Sequence, residues 1–288
     1  MKLAACMSIG LALPALAEIT TTLLNDLSLF SQYSAAAYCS MNLNSTGAAL
    51  ACSVGNCPLV EAADTQILYD FDESCSFGDA SGFVAVDNTN NLIVLSFRGS
   101  HDLSNWIANL DFFPIDTPSV CEGCSMHVGF WETWQTVAAN VTEQLQSALA
   151  TYPGYTLVMT GHSLGAALAA IAATVFRNSG IPVEMYNYGQ PRLGNLALAQ
   201  YITNQTATTN NNYRVTHTED PVPKLPPRLF GFDHYSPEYW ITSGNNVSVT
   251  DADVVQVVGI DSTDGNDGTI LDDVEAHRWY LGYISECS

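Results

Sequence analysis

The chain has 288 residues, 47% of them hydrophobic and 13% charged, with a net charge of −21. That supply of apolar residues is enough for a sizeable core and excludes a disordered chain. The acidity excludes nucleic acid, whose phosphates repel such a surface, and disfavours strongly anionic membranes.

The first residues read as a secretory signal. Lys2 precedes the apolar run LAACMSIGLALPALA, which closes on the small-x-small sequence Ala15-Leu16-Ala17. A buried N-terminal helix is the competing reading, but Pro14 breaks it just before the small residues. Residues 1–17 are therefore expected to be removed, leaving one secreted domain over residues 18–288. No later run approaches the ~20 apolar residues of a membrane span, so no integral membrane segment is expected.

LLNDLSLFSQYSAAAYC carries apolar residues at helical spacing. TQILYDF and GFVAVDNTNNLIVLSFRGS read as strands, the latter folded into a hairpin at its Asn-rich centre. GFWETWQTVAANVTEQLQSALATY is a long amphipathic helix. YTLVMT (strand), LGAALAAIAATVFRNSG (helix), PVEMYNYG (strand), LALAQYITNQ (helix) and NYRVTHT (strand) follow. This alternation gives an α/β fold with a central, mostly parallel sheet flanked by helices. DSTDGNDG, at 261–268, lacks the spacing of a calcium loop and reads as a solvated surface turn.

Without Cys6, seven cysteines remain, and in an oxidising compartment they read mainly as disulfides. Cys52 with Cys57, and Cys121 with Cys124, could close small loops; Cys39 and Cys287 could staple the two ends, leaving Cys75 over. CEGC at 121–124 also suits a redox or zinc pair, but no second Cys or His pair accompanies it, and no metal is expected. Sequons at Asn44, Asn140, Asn204 and Asn246 suit export.

Gly161-His162-Ser163-Leu164-Gly165 fits G-x-S-x-G, with a strand before it and a helix after it. The glycines leave room where strand and helix would collide, and the serine is lifted onto a tight bend at a helix N-terminus. There the amide of Leu164 can face a developing oxyanion. An N-capping serine at an ordinary turn is the alternative. A serine hydrolase then needs an acid and a base, in that order along an α/β-hydrolase chain. Asp220, just past the NYRVTHT strand, is the acid candidate and its neighbour Glu219 a lesser one. His277 and His234 both remain as bases, with His277 favoured; His162 and His217 are tied to their own turn and strand.

VLSFRGS, NWIANLDF, TGHSLG, YGQPRLGN, YRVTHTEDPVPKLPP, SPEYW and AHRWY run in order across almost the whole mature chain. In these motifs the chain resembles the filamentous-fungal class 3 lipases, the Thermomyces and Rhizomucor type, and most the Thermomyces type. The resemblance implies an α/β-hydrolase fold with Ser163 as nucleophile, Asp220 as orienting acid and His277 as general base. It implies an oxyanion hole from the amides of Ser100 and Leu164. It also implies the pairs Cys39–Cys287, Cys52–Cys57 and Cys121–Cys124.

In that family the segment after Ser100 is a lid. Here Leu103, Trp106, Ile107 and Leu110 recur at spacings of three and four, which makes one face of a short helix apolar. A core-facing helix has the same periodicity; position in the family decides for the lid. Such a lid covers the site in water and lays its apolar face on lipid. The expected activity is secreted triacylglycerol lipase acting on long-chain lipid esters at an oil–water interface, without cofactor, as a monomer. Feruloyl esterase, with a more polar lid loop, and phospholipase A1 are the alternatives on the same fold. Two positions depart from the family. His101 stands where the Thermomyces type has a basic residue, and Arg278 follows His277 where an apolar residue is usual.

Overall fold

The computed structural model describes residues 19–73, 80–108, 112–206 and 211–287. The signal segment 1–17, Cys75, Leu110 and the side chain of Trp106 lie outside the described residues. The helices are α1 Thr21–Ala36, α2 Pro58–Ala62, α3 Leu103–Ala108, α4 Val128–Thr151, α5 Leu164–Asn178, α6 Leu196–Gln205 and α7 Val274–Arg278. The strands are β1 Thr65–Glu73, β2 Ala80–Asp87, β3 Leu92–Phe97, β4 Pro114–Asp116, β5 Ser125–His127, β6 Thr156–His162, β7 Glu184–Tyr188, β8 Asn212–His217, β9 Glu238–Ile241 and β10 Val254–Val257.

Eight strands form one sheet in the order β1-β2-β3-β6-β7-β8-β9-β10. From β3 to β9 the neighbours are parallel. The flanking pairs β1–β2, β2–β3 and β9–β10 are antiparallel. β4 and β5 form a separate ribbon. The central strands are covered on both faces, which is why β3 (LIVLSF) and most of β6 are buried without alternation.

One face is covered by α4 and α5, the other by α1. α4 turns Phe130, Trp134, Val137, Val141, Leu145 and Ala148 inward at spacings of three and four. α5 is buried nearly all round, and its alanines let it lie close on the sheet. A fully buried helix of small residues positions its own N-terminus rigidly, and that N-terminus follows Ser163.

The structure pairs Cys39 with Cys287, Cys52 with Cys57 and Cys121 with Cys124. CEGC is thus a disulfide loop. All four sequon asparagines are exposed. No helix among the described residues is long and apolar enough to cross a membrane.

DSTDGNDG departs from the expectation of a solvated turn. Asp261 is 9% exposed and accepts from Arg192 Nε at 3.0 Å, while Asp267 is paired with Arg192 Nη2. Arg192 itself is 1% exposed. Arg228 closes the cluster, reaching Asp261 and, at 2.6 Å, Asp267 Oδ2. A buried guanidinium demands such partners, and these carboxylates fold inward to supply them. Asn266, between them, donates to the carbonyls of Thr218 and Asp220 at 3.0 Å each. The loop therefore braces the segment that carries Asp220.

Candidate active site

The parallel strands deliver three groups to their C-terminal ends, where open α/β sheets gather ligands. β6 is followed at once by Ser163, β7 by Gly189, and β8 leads into Asp220. Ser163 has φ 59° and ψ −127°, a left-handed backbone that a non-glycine residue adopts only when its surroundings impose it. They do so here. A Cβ on Gly161 would strike the backbone of Gly165, and one on Gly165 would strike Phe97 O. Strand and helix thus touch backbone to backbone, and the serine is forced onto the bend. Its own amide donates to Tyr188 O at 2.9 Å, and its carbonyl accepts from Ala166 and Ala167 at 3.0 and 3.3 Å. The amide of Leu164 stands in the first turn of α5, where a helix has no acceptor for it.

Asp220 is fully buried. Its Oδ2 accepts from His277 Nδ1 at 2.8 Å and from the Tyr280 hydroxyl at 2.5 Å, and its Oδ1 accepts from the Val222 amide at 2.8 Å. With Nδ1–H committed to Asp220, the other ring nitrogen of His277 is the basic one. That Nε2 and Ser163 Oγ have no hydrogen-bond partner among the described residues, although both are buried. Both residues line one cavity of about 250 Å³, together with Ser100, His101, Leu103 and Arg278.

Two further histidines hold the backbone at His277. The Tyr38 hydroxyl donates to His162 Nδ1 at 2.7 Å, and His162 Nε2–H donates to His277 O at 2.8 Å. Burial, and next the proximity of His277, hold His162 well below the usual histidine range, which agrees with a neutral ring accepting at one nitrogen and donating at the other. His217 lies between the carbonyls of Ala276 and Ser243, at 2.9 and 2.8 Å. Both histidines were tied to their own elements in the sequence, and both serve there as props. Tyr280, a bond donor to Asp220, went unassigned; its signal was its place three residues after His277 in AHRWY.

Gly189 was also missed. Its φ is +57°, and a Cβ there would sit 2.8 Å from His277 Cε1 and 3.1 Å from Asp220 Oδ2. Gly189→Ala is expected to displace the imidazole and lower kcat by at least ~100-fold, the usual cost of misplacing a reacting group by about an ångström. Wild-type kcat on a soluble short-chain ester would contradict this.

His234, the other histidine left open by the sequence, is not in the cavity wall. Its Nε2–H donates to Pro223 O at 2.7 Å. Burial holds its pKa well below the ordinary value, helped by Arg214 and Arg192. The folded protein therefore keeps this ring neutral, while the unfolded chain binds a proton below pH ~6.5. Stability from this group is complete above that pH and lost as pH falls, by up to ~1.4 kcal/mol per unit. His234→Gln should make the loss of unfolding free energy between pH 7 and 5 shallower by up to ~2 kcal/mol, read from urea titrations at both pH values. An equal loss in both proteins would refute it.

The segment expected to be the lid is helical over Leu103–Ala108. α3 begins at Leu103, which lines the cavity, and Leu103 and Ile107 are both half-buried. Asp102 starts the helix by accepting from the Asn105 amide at 2.9 Å. Arg278 faces the cavity and pairs with Glu275 at 3.2 Å.

The sequence profile of the lipase (class 3) family matches residues 94–230, and that of the lipase 3 N-terminal region matches residues 3–69. The chain is 45% identical to the secreted mono- and diacylglycerol lipase A of Penicillium camembertii, over 97% of this chain and 92% of that one. It is 40% identical to the secreted mono- and diacylglycerol lipase 1 of Fusarium solani, over 94% of this chain and 79% of that one. The crystal structure of the mono- and diacylglycerol lipase from Aspergillus oryzae superposes with a TM-score of 0.88 at 42% identity, covering 93% of this chain and all of that one.

Proposed function

The chain belongs to the class 3 lipase family, and from that premise we propose that Ser163, His277 and Asp220 are the catalytic triad of a secreted acylglycerol hydrolase. It is a lipase, a carboxylic-ester hydrolase acting outside the cell. The mature chain starts at Glu18 on this reading. One observation carries the assignment. Asp220 is hydrogen-bonded to His277 Nδ1 at 2.8 Å, while His277 Nε2 and Ser163 Oγ are left without partners on the same cavity.

Ser163 Oγ attacks the ester carbonyl as His277 Nε2 takes its proton. Asp220 holds the tautomer and stabilises the imidazolium. The negative oxygen of the tetrahedral intermediate accepts from the amides of Leu164 and Ser100, and the helix N-terminus favours that charge. His277 returns the proton to the departing alcohol, leaving an acyl-serine. Water, deprotonated by the same nitrogen, releases the acid.

Substrate at a surface is supported by large apolar residues left exposed to solvent. Leu229 is 91%, Phe230 50% and Phe113 66% exposed, with Ile270 at 95% and Leu271 at 72%. Phe112, just after the proposed lid, packs its ring tilted against Phe230 with centroids 5.0 Å apart. Lys224 Nζ holds the Ile270–Leu271 turn through Leu271 O at 2.8 Å. Such exposed apolar groups suit an uncharged lipid phase, and a net charge of −21 suits one without anionic headgroups. The relatives' names extend the expected triacylglycerol to partial acylglycerols. The test compares rates on emulsified acylglycerols, a phospholipid and methyl ferulate. A rate on acylglycerol that climbs above its solubility limit is expected; hydrolysis of methyl ferulate with none of any acylglycerol would overturn the reading.

A further inference from the structure

The cavity that holds Ser163 and His277 is lined in part by charged groups unsuited to an acyl chain. Its lining includes Leu103, Ser285 and three charged side chains that stay open to solvent, Glu275, Arg278 and Glu286. Arg278 Nη1 donates to Glu275 Oε1 at 3.2 Å, so that pair offsets its own charge. Glu286 has no cationic partner among the described residues and adds a second carboxylate. A methylene gains ~0.8 kcal/mol from apolar burial and gains nothing against ionised groups, which lose water to it. Hydroxyl groups fit this lining. They donate to carboxylate oxygens and accept from a guanidinium, and bonds to ionised partners are the strong ones. Two carboxylates against one guanidinium oppose a phosphate. The cavity, at about 250 Å³, lies below the ~300–1,000 Å³ of pockets that enclose whole drug-sized ligands, so it suits a small polar group.

The geometry points to a polyol subsite beside the nucleophile, in which Glu275, Arg278 and Glu286 hold the free hydroxyls of a partially acylated glycerol whose ester carbonyl lies on Ser163. It rests on the reading of Ser163 as nucleophile. Selectivity arises by opposition as well as attraction, because a triacylglycerol must lay a further chain on the ionised lining. Arg278, the departure from the family's apolar position, is thereby a specificity residue.

The full secreted enzyme, Glu286→Gln and Arg278→Leu are assayed on emulsions of monooleoylglycerol, trioleoylglycerol and methyl oleate at equal interfacial area. Methyl oleate has the acyl chain and no hydroxyl. In Glu286→Gln, kcat/KM for monooleoylglycerol relative to methyl oleate should fall at least ~10-fold, the scale of one hydrogen bond to a charged group. In Arg278→Leu, kcat/KM for trioleoylglycerol relative to methyl oleate should rise. Unchanged ratios in both variants overturn the subsite, as does an equal loss on all three substrates. A preference of the wild type for lysophosphatidylcholine over monooleoylglycerol overturns it too, in favour of a cationic headgroup. Thermal unfolding of each variant separates these results from misfolding. If Ser163→Ala still cleaves methyl oleate, it is the nucleophile assignment that fails, and the two failures are distinct.

Discussion

Ser163→Ala is expected to lower kcat by roughly 10⁶-fold, the scale seen when a triad serine is removed, while the protein stays folded and becomes slightly more stable. The direction of the stability change follows from the site. Ser163 is 2% exposed and its Oγ has no partner among the described residues. A buried hydroxyl without a hydrogen bond costs about 1–3 kcal/mol of desolvation, and alanine removes it. The left-handed backbone at φ 59° remains equally strained, since both residues carry a Cβ. Lost turnover with a Tm at or above wild type is therefore the signature of a nucleophile held in place for chemistry. Residual catalysis over water is expected from the oxyanion donors and binding. Initial rates on a short-chain ester and a thermal unfolding scan decide it: activity within tenfold of wild type would sink the assignment.

The elbow was legible because its signal is local. A β-rich run, two glycines and an alanine-rich helix lie within about twenty residues, and backbone contact at Gly161 and Gly165 is what those glycines allow. α4 was legible for the same reason, as its apolar period is complete within the helix. β9 and β10 were not read as strands: four residues each carry no usable period, and they exist by pairing with β8 and with each other. The Asp261–Asp267 loop reads as solvated because Arg192, which draws it inward, lies 69 positions away. His277 and His234 look alike in sequence, each beside aromatics. What separates them is a carboxylate 57 positions from one and a carbonyl of Pro223 at the other. Arg278 was seen as an oddity, but its orientation depends on Glu275 and on the cavity, which only the folded chain supplies.

Asp220→Asn is expected to cost about 10⁴-fold in kcat, with KM little changed, because a wrong tautomer disables the base without removing it. In the wild type three donors converge on Asp220: His277 Nδ1–H, the Tyr280 hydroxyl and the Val222 amide. Asparagine can keep the Val222 amide on its oxygen, but its NH₂ then faces Tyr280 and His277. The tyrosine oxygen accepts from it readily. The imidazole can accept only by moving its proton from Nδ1 to Nε2, and a protonated Nε2 cannot take a proton from Ser163. The hydrogen-bond set is thus satisfied in a catalytically dead arrangement, so unfolding free energy should change little. Asp220→Ala makes the contrast. It strands three donors at a fully buried site, each costing about 1–3 kcal/mol, so it should lose stability as well as rate. Measured together, a stable but inactive asparagine variant and an unstable, inactive alanine variant identify Asp220 as the residue that sets the proton on His277. An asparagine variant within tenfold of wild-type kcat would show that the tautomer is set elsewhere, and the carbonyls of His277 and Ala276, held by His162 and His217, would be the place to look.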